Sequence, residues 1–128
     1  VILADTSVWI DHLRAGVPAL SDALEQGRVL VHPFVVGELA CGKLRNRREV
    51  LELLGNLPFA PAATDAEAME FIERRALMGR GIGYIDVHLL AAVALAGTAR
   101  LWTRCRRLYA VAAELNLAVA DSTRSPPS

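Results

Sequence analysis

Short apolar runs alternate with stretches of helical periodicity along this chain, and this alternation limits the possible folds more than any other feature. Residues 1–4 form an apolar run that ends at Asp5 and predicts a buried strand. Residues 7–14 predict a short helix stopped at Gly16, and Pro18 suits the first turn of a second helix that runs to about Glu25 and ends at Gly27. Residues 29–31 predict a second strand, closed by His32 and Pro33, and residues 34–54 a long helical stretch containing Gly37 and Gly42. Residues 58–61 form a linker. Thr64 with Glu67 three positions on fits a capping box, which predicts a helix reaching about Met78. Gly79, Gly81 and Gly83 make a loop, and residues 84–96 a helix apolar on most sides, hence central. Residues 101–103 and 117–120 predict two further strands around a helix at 106–114. The expected fold is α/β, a three-layer α/β/α arrangement around a parallel sheet of about four to five strands. One domain over residues 1–121 is expected, followed by a polar, disordered tail at 122–128.

A chain of 128 residues with 53% apolar content can bury a core. It has no apolar run long enough for a membrane span, and the short run before Asp5 suggests no signal peptide. Fourteen basic groups balance fourteen acidic ones, which argues against a non-specific nucleic-acid coat. The arginines nevertheless cluster, notably at Arg104, Arg106 and Arg107. They suit either solvated helix faces or phosphate contacts. Cys41 and Cys105 match neither a zinc spacing nor a disulfide framework, so a reducing, cytoplasmic setting is expected. Cys41 is expected in the core.

In an open parallel sheet, ligands bind beyond the carboxyl ends of the strands. Asp5 falls at the end of the first strand, Glu38 about one turn into the helix after the second, and Asp86 at the start of the central helix. Each has a plain alternative: Asp5 and Asp86 as helix-terminal acids, Glu38 as an ion-pair partner of Lys43 or an arginine. Together they would repel. Two carboxylates about 4 Å apart cost roughly 4 kcal/mol at an effective dielectric near 20. A hard divalent cation removes that repulsion, prefers oxygen, and takes one or two carboxylates directly. No Walker-type phosphate loop is present, and Asp5-Thr6-Ser7 is not the Asp-x-Asp of a dehalogenase-type phosphatase.

The segments Leu3-Ala4-Asp5-Thr6-Ser7-Val8-Trp9-Ile10, Val35-Val36-Gly37-Glu38-Leu39, the run from Gly81 to Ala92 around Asp86, and Leu101-Trp102-Thr103-Arg104-Cys105-Arg106-Arg107-Leu108 resemble the acid-bearing segments of the PIN domain. In length and order the chain is similar to the VapC toxins of bacterial toxin–antitoxin pairs. The resemblance implies an endoribonuclease dependent on Mg²⁺ or Mn²⁺, with Asp5, Glu38 and Asp86 as catalytic acids and Asp5 and Asp86 as direct metal ligands. It implies structured RNA such as transfer or ribosomal RNA as substrate, a homodimer, and inhibition by a VapB-like antitoxin. The family has an acid where this chain has Cys105. A thiol is mostly neutral near pH 7 and too soft for Mg²⁺, so that fourth position is weakened. Thr103 is a supporting candidate there, and Arg104, Arg106 and Arg107 are candidates for RNA phosphates. The alternative is a degenerate PIN domain with little or no catalysis, acting as an RNA- or protein-binding module.

Trp9, Trp102 and Phe71 are expected in the core, and His88 in packing or a core hydrogen bond. His12 and His32 have no evident partner. Val8, Leu13, Val17, Leu20 and Leu24 serve either the core or a groove for the antitoxin or a second subunit.

Overall fold

Ile2, Leu3 and Ala4 lie at the centre of a parallel sheet. In the computed structural model, which describes residues 1–120, they form β1 (Ile2–Ala4), flanked by β2 (Val29–Leu30) and β3 (Arg100–Trp102) in the order β2-β1-β3. Ile2 pairs with Val29 and Arg100, and Ala4 with Trp102. The chain is therefore α/β, as the alternating pattern predicts. The helices are α1 (Thr6–Ala15), α2 (Pro18–Glu25), α3 (Pro33–Cys41), α4 (Arg47–Asn56), α5 (Asp65–Arg75), α6 (Tyr84–Ala96) and α7 (Arg106–Glu114).

The sheet is narrower than the expected four to five strands. Beyond β2, Val31 makes an isolated bridge to Phe59, with Val31 N–H donating to Pro58 O and Ala60 N–H to Val31 O. Pro58 and Pro61 lack an N–H, so this stretch cannot extend the ladder. Beyond β3, the expected last strand is one bridge, Leu101 to Ala118, closed by two hydrogen bonds between Leu101 and its neighbours Leu117 and Val119. The expected tail at 122–128 lies outside the described residues.

The single helix expected over 34–54 is two helices. Gly42 leaves α3 in an extended conformation, and Asn46 enters α4 in the left-handed region at φ 53°, a conformation asparagine tolerates. Arg47 Nη1 donates to Ala40 O across the break. The helix after Thr64 carries the predicted capping box, Glu67 N–H on Thr64 Oγ1 and Thr64 N–H on Glu67 Oε1. It stops at Arg75, short of Met78, where Ala76 turns left-handed and Leu77 N–H returns to Ile72 O, placing Leu77 in the core.

The apolar residues of α1 and α2 go mainly to the core. Val8, Val17 and Leu20 are buried, and Leu13 and Leu24 pack against them. Trp9 and Trp102 are buried as expected, while Phe71 is half-buried under the Arg75 guanidinium. Cys41 is exposed, contrary to expectation, because it ends α3 on the solvent side. The central helix α6 has seven consecutive buried residues from Val87 to Val93, including His88. No helix among the described residues is long and apolar enough to cross a membrane.

Candidate active site

Asp5 follows β1 directly, and its N–H completes the ladder to Trp102 O at 3.0 Å. The backbone is extended there, so Asp5 also caps α1, with Oδ1 accepting Val8 N–H at 3.2 Å. The helix-cap reading of Asp5 is thus correct without excluding the other. Ser7 Oγ donates to the same Oδ1 at 2.5 Å, and Thr103 Oγ1 donates to Oδ2. A carboxylate offers about four lone-pair sites. Two donors occupy Oδ1 and one Oδ2, which leaves acceptor capacity on Oδ2.

These hydroxyls are fixed in turn. Ser7 Oγ accepts Arg104 N–H at 3.0 Å and Thr103 Oγ1 accepts Cys105 N–H at 3.0 Å, so each hydroxyl proton is directed at Asp5. The carboxylate is held between the first turn of α1 and the segment joining β3 to α7. Only Thr103 of this pair was a candidate from sequence. Ser7 stood there only as a member of the Leu3–Ile10 segment around Asp5.

Asp86 sits in the first turn of α6, where Oδ2 accepts Gly83 N–H at 3.1 Å. Glu38 is exposed on α3, and its Oε1 accepts from Thr6 Oγ1 at 2.6 Å. Thr6, next to Asp5, therefore ties the second acid to the first. The ion pair of Glu38 with Lys43 or an arginine does not form among the described residues.

Electrostatics link the three acids. Burial pushes the Asp5 carboxyl up against the pull of Ser7, Thr103 and the Val8 N–H, and the Asp86 charge adds to the rise. Burial likewise raises Asp86, opposed by the Gly83 N–H and reinforced by Glu38. The structure brings Asp5, Asp86 and Glu38 together as a chain, with Asp86 in the middle. No three His, Cys, Asp or Glu side chains among the described residues close into a ready-made metal cage. Mg²⁺ does not need one, because it binds through one or two carboxylates and keeps several waters. Buried Asp5 and half-buried Asp86, the second opposing ionisation of the first and both with spare oxygen lone pairs, fit such an ion.

Cys105 is the N-cap residue of α7, exposed and without a side-chain capping bond. Of the three arginines, Arg104 pairs with Asp11 at 2.9 Å, while Arg106 and Arg107 are exposed. Arg107 lies against Gly81, whose φ is +79°. A Cβ there would come within 2.8 Å of Arg107 Cδ, so this glycine permits the arginine to lie over the loop leading to Asp86. The two unassigned histidines have backbone partners: Val17 N–H donates to His12 Nδ1, and Phe34 N–H to His32 Nδ1.

The sequence profile of the PIN domain matches residues 2–117, which run from β1 past the end of α7. The chain belongs to the PIN-domain family. It is also 48% identical over 121 residues to Ribonuclease VapC32 of Mycobacterium tuberculosis, in strains CDC 1551 / Oshkosh and ATCC 25618 / H37Rv. Each match covers 94% of this chain and 98% of the relative. Within the PIN family the chain is thus VapC-like, and the acid-bearing segments all lie inside the matched region.

Proposed function

We propose that this chain is an endoribonuclease toxin that hydrolyses RNA phosphodiesters with the help of Mg²⁺ or Mn²⁺. The observation that carries this is the linked trio of acids at the carboxyl edge of a parallel sheet, in which burial raises Asp5 and Asp86, the Asp86 charge adds to the rise of Asp5, and the Glu38 charge to that of Asp86. Asp5 and Asp86 would hold the ion directly. When bound, the ion lowers the pKa of a coordinated water and polarises the phosphodiester. Glu38, exposed and held by the Thr6 hydroxyl, would complete the shell or orient the attacking water. Thr103 and Ser7 fix the direction of the Asp5 carboxylate. Cys105 stands beside this network as a weakened fourth position, and Arg106 and Arg107, with Arg104 braced on Asp11, supply charge for RNA phosphates.

The ribonuclease name of the VapC relatives supports the RNA substrate. Structured RNA such as transfer or ribosomal RNA, a VapB-like antitoxin, a homodimer and a cytoplasmic setting belong to the same reading. Cys105 favours a second one, a PIN domain with weak catalysis that acts as an RNA- or protein-binding module. Incubation with total RNA and Mn²⁺, with mapping of the cut ends, separates the two. Wild type should cut at defined sites, while Asp5→Ala and wild type in EDTA should not. Equal cutting by wild type and Asp5→Ala would point to a contaminating nuclease and end the proposal.

A further inference from the structure

Three rings meet beside the acids. Phe34 lies one helical turn before Glu38 on α3, on the same face of that helix, and Tyr84 lies two residues before Asp86 at the start of α6. Both touch His88 edge-on, with ring centroids 4.9 Å and 4.7 Å away. His88 is 2% exposed, whereas Phe34 and Tyr84 keep 38% and 43% of their surface open to water. A fully packed core would hide such rings, and covering one buried imidazole does not need two half-open ones.

The rings are held in place. Tyr84 donates its hydroxyl to Asp65 Oδ1 at 2.8 Å, and Phe34 also packs edge-on against the buried His32 at 5.0 Å. His88 Nε2 is buried 3.3 Å from the same Asp65 oxygen, without hydrogen-bonding geometry. The charged groups tied to this surface are acids, Asp65 at the Tyr84 hydroxyl and Glu38 one turn from Phe34. Acids repel phosphate, so the surface suits an uncharged π-face better than a nucleic-acid backbone. Single-stranded RNA is commonly recognised through unstacked bases laid on aromatic side chains.

We propose that Phe34 and Tyr84 form a stacking subsite for one unpaired base of the RNA, next to the acids that act on its phosphodiester. This rests on the ribonuclease reading. It adds that the cut falls beside an unpaired nucleotide, and that affinity has a component independent of charge.

The test is binding of a short fluorescein-labelled single-stranded RNA in EDTA, followed by anisotropy at several salt concentrations. Phe34→Leu and Tyr84→Leu should each weaken binding by about tenfold, the usual size of a lost base–aromatic stack. The dependence of affinity on salt should stay as in wild type, because no charge is lost. Phe34→Trp keeps a π-face and should retain wild-type affinity, and the same strand annealed to its complement should bind all variants alike. Thermal unfolding checks that each variant folds. The subsite is overturned if the Leu variants bind like wild type, if Phe34→Trp is as weak as Phe34→Leu, or if duplex binding falls equally. A wild type that cuts and binds RNA while the Leu variants match it would remove only the subsite. A wild type that neither binds nor cuts would remove the ribonuclease reading, and the subsite with it.

Discussion

The two ends of the acid cluster are built in opposite ways. At the sheet end, Asp5 is 5% exposed and receives three donors from two parts of the chain. At the helix end, Glu38 is exposed with one side-chain partner, and Asp86 is half-buried with one backbone donor. The sheet end is settled by folding, since Asp5 must cap α1 and close the ladder wherever its carboxylate is needed. The helix end stays adjustable and can adapt to an ion, a water or a substrate. Preorganisation therefore rests on Asp5, and adaptability on Glu38.

Substituting the two acids is the strongest way to break this contrast. Asp5→Asn keeps the shape but loses the charge, and should lower kcat/KM for RNA in Mn²⁺ by about 10³-fold, the upper range for losing one preorganised electrostatic group. Glu38→Gln should cost less, about 10–100-fold, as for groups that tune a metal site from its margin. If Glu38→Gln proves the more damaging, the fixed end does not dominate and the roles assigned to the two acids must be exchanged.

The hydroxyls give the next largest effect. Thr103→Val leaves a buried Asp5 oxygen and the Cys105 N–H without their partner. It should lower activity about 10–100-fold and stability to urea by about 1–3 kcal/mol. Thr6→Val at the exposed end should change stability by no more than about 0.5 kcal/mol. Equal stability losses would show that the two ends are equally rigid.

The same contrast explains what could be read before the structure. The places of Asp5, Glu38 and Asp86 in the fold were legible because strand ends and helix starts are set by local pattern, and a parallel sheet sends them to one edge. The break between α3 and α4 was not legible, because it depends on Asn46 adopting a left-handed backbone that the helical pattern of its neighbours conceals. The last strand was overestimated because a short apolar run does not reveal how many ladder bonds its partner can accept. Ser7 and Thr6 carried no signal of their own beside Asp5. Their roles arise from contacts with Arg104 and Glu38, residues distant in sequence that only the packed fold brings near. Cys41 looked like core because free cysteine usually is, but its placement was decided by where α3 ends.

Cys105 joins the fixed end to the surface, and Cys105→Asp sharpens the comparison from there. Aspartate is a preferred N-cap residue, whereas Cys105 makes no capping bond, so α7 should gain about 1 kcal/mol. The added charge also lies beside the Asp5 network, since Cys105 N–H is bound to the Thr103 hydroxyl that holds Asp5, so without metal part of that gain is offset. With Mn²⁺ the acid becomes useful, and metal affinity and cleavage should rise about tenfold. Isothermal titration and RNA cleavage measure both. Unchanged affinity and rate would mean that Cys105 is not where the site is weakened.

The smallest effect is in the pH dependence, and its sign separates the buried acids from an exposed one. Asp5 and Asp86 are raised in the folded protein, chiefly by burial, above the ordinary value of 3.8. Their contribution to stability is full below the unfolded value and is lost as pH rises through the folded value. Glu67 goes the other way. The Thr64 backbone and hydroxyl lower it, so its contribution is present above the unfolded value and lost as pH falls through the folded one. Metal must displace protons from Asp5 and Asp86. The rise in Tm caused by Mn²⁺ should therefore grow with pH across the acid range, by about a few degrees in all, and Asp5→Asn should flatten that growth while Glu67→Gln leaves it intact. A Mn²⁺ shift independent of pH in the wild type would mean that the ion binds away from the two buried acids.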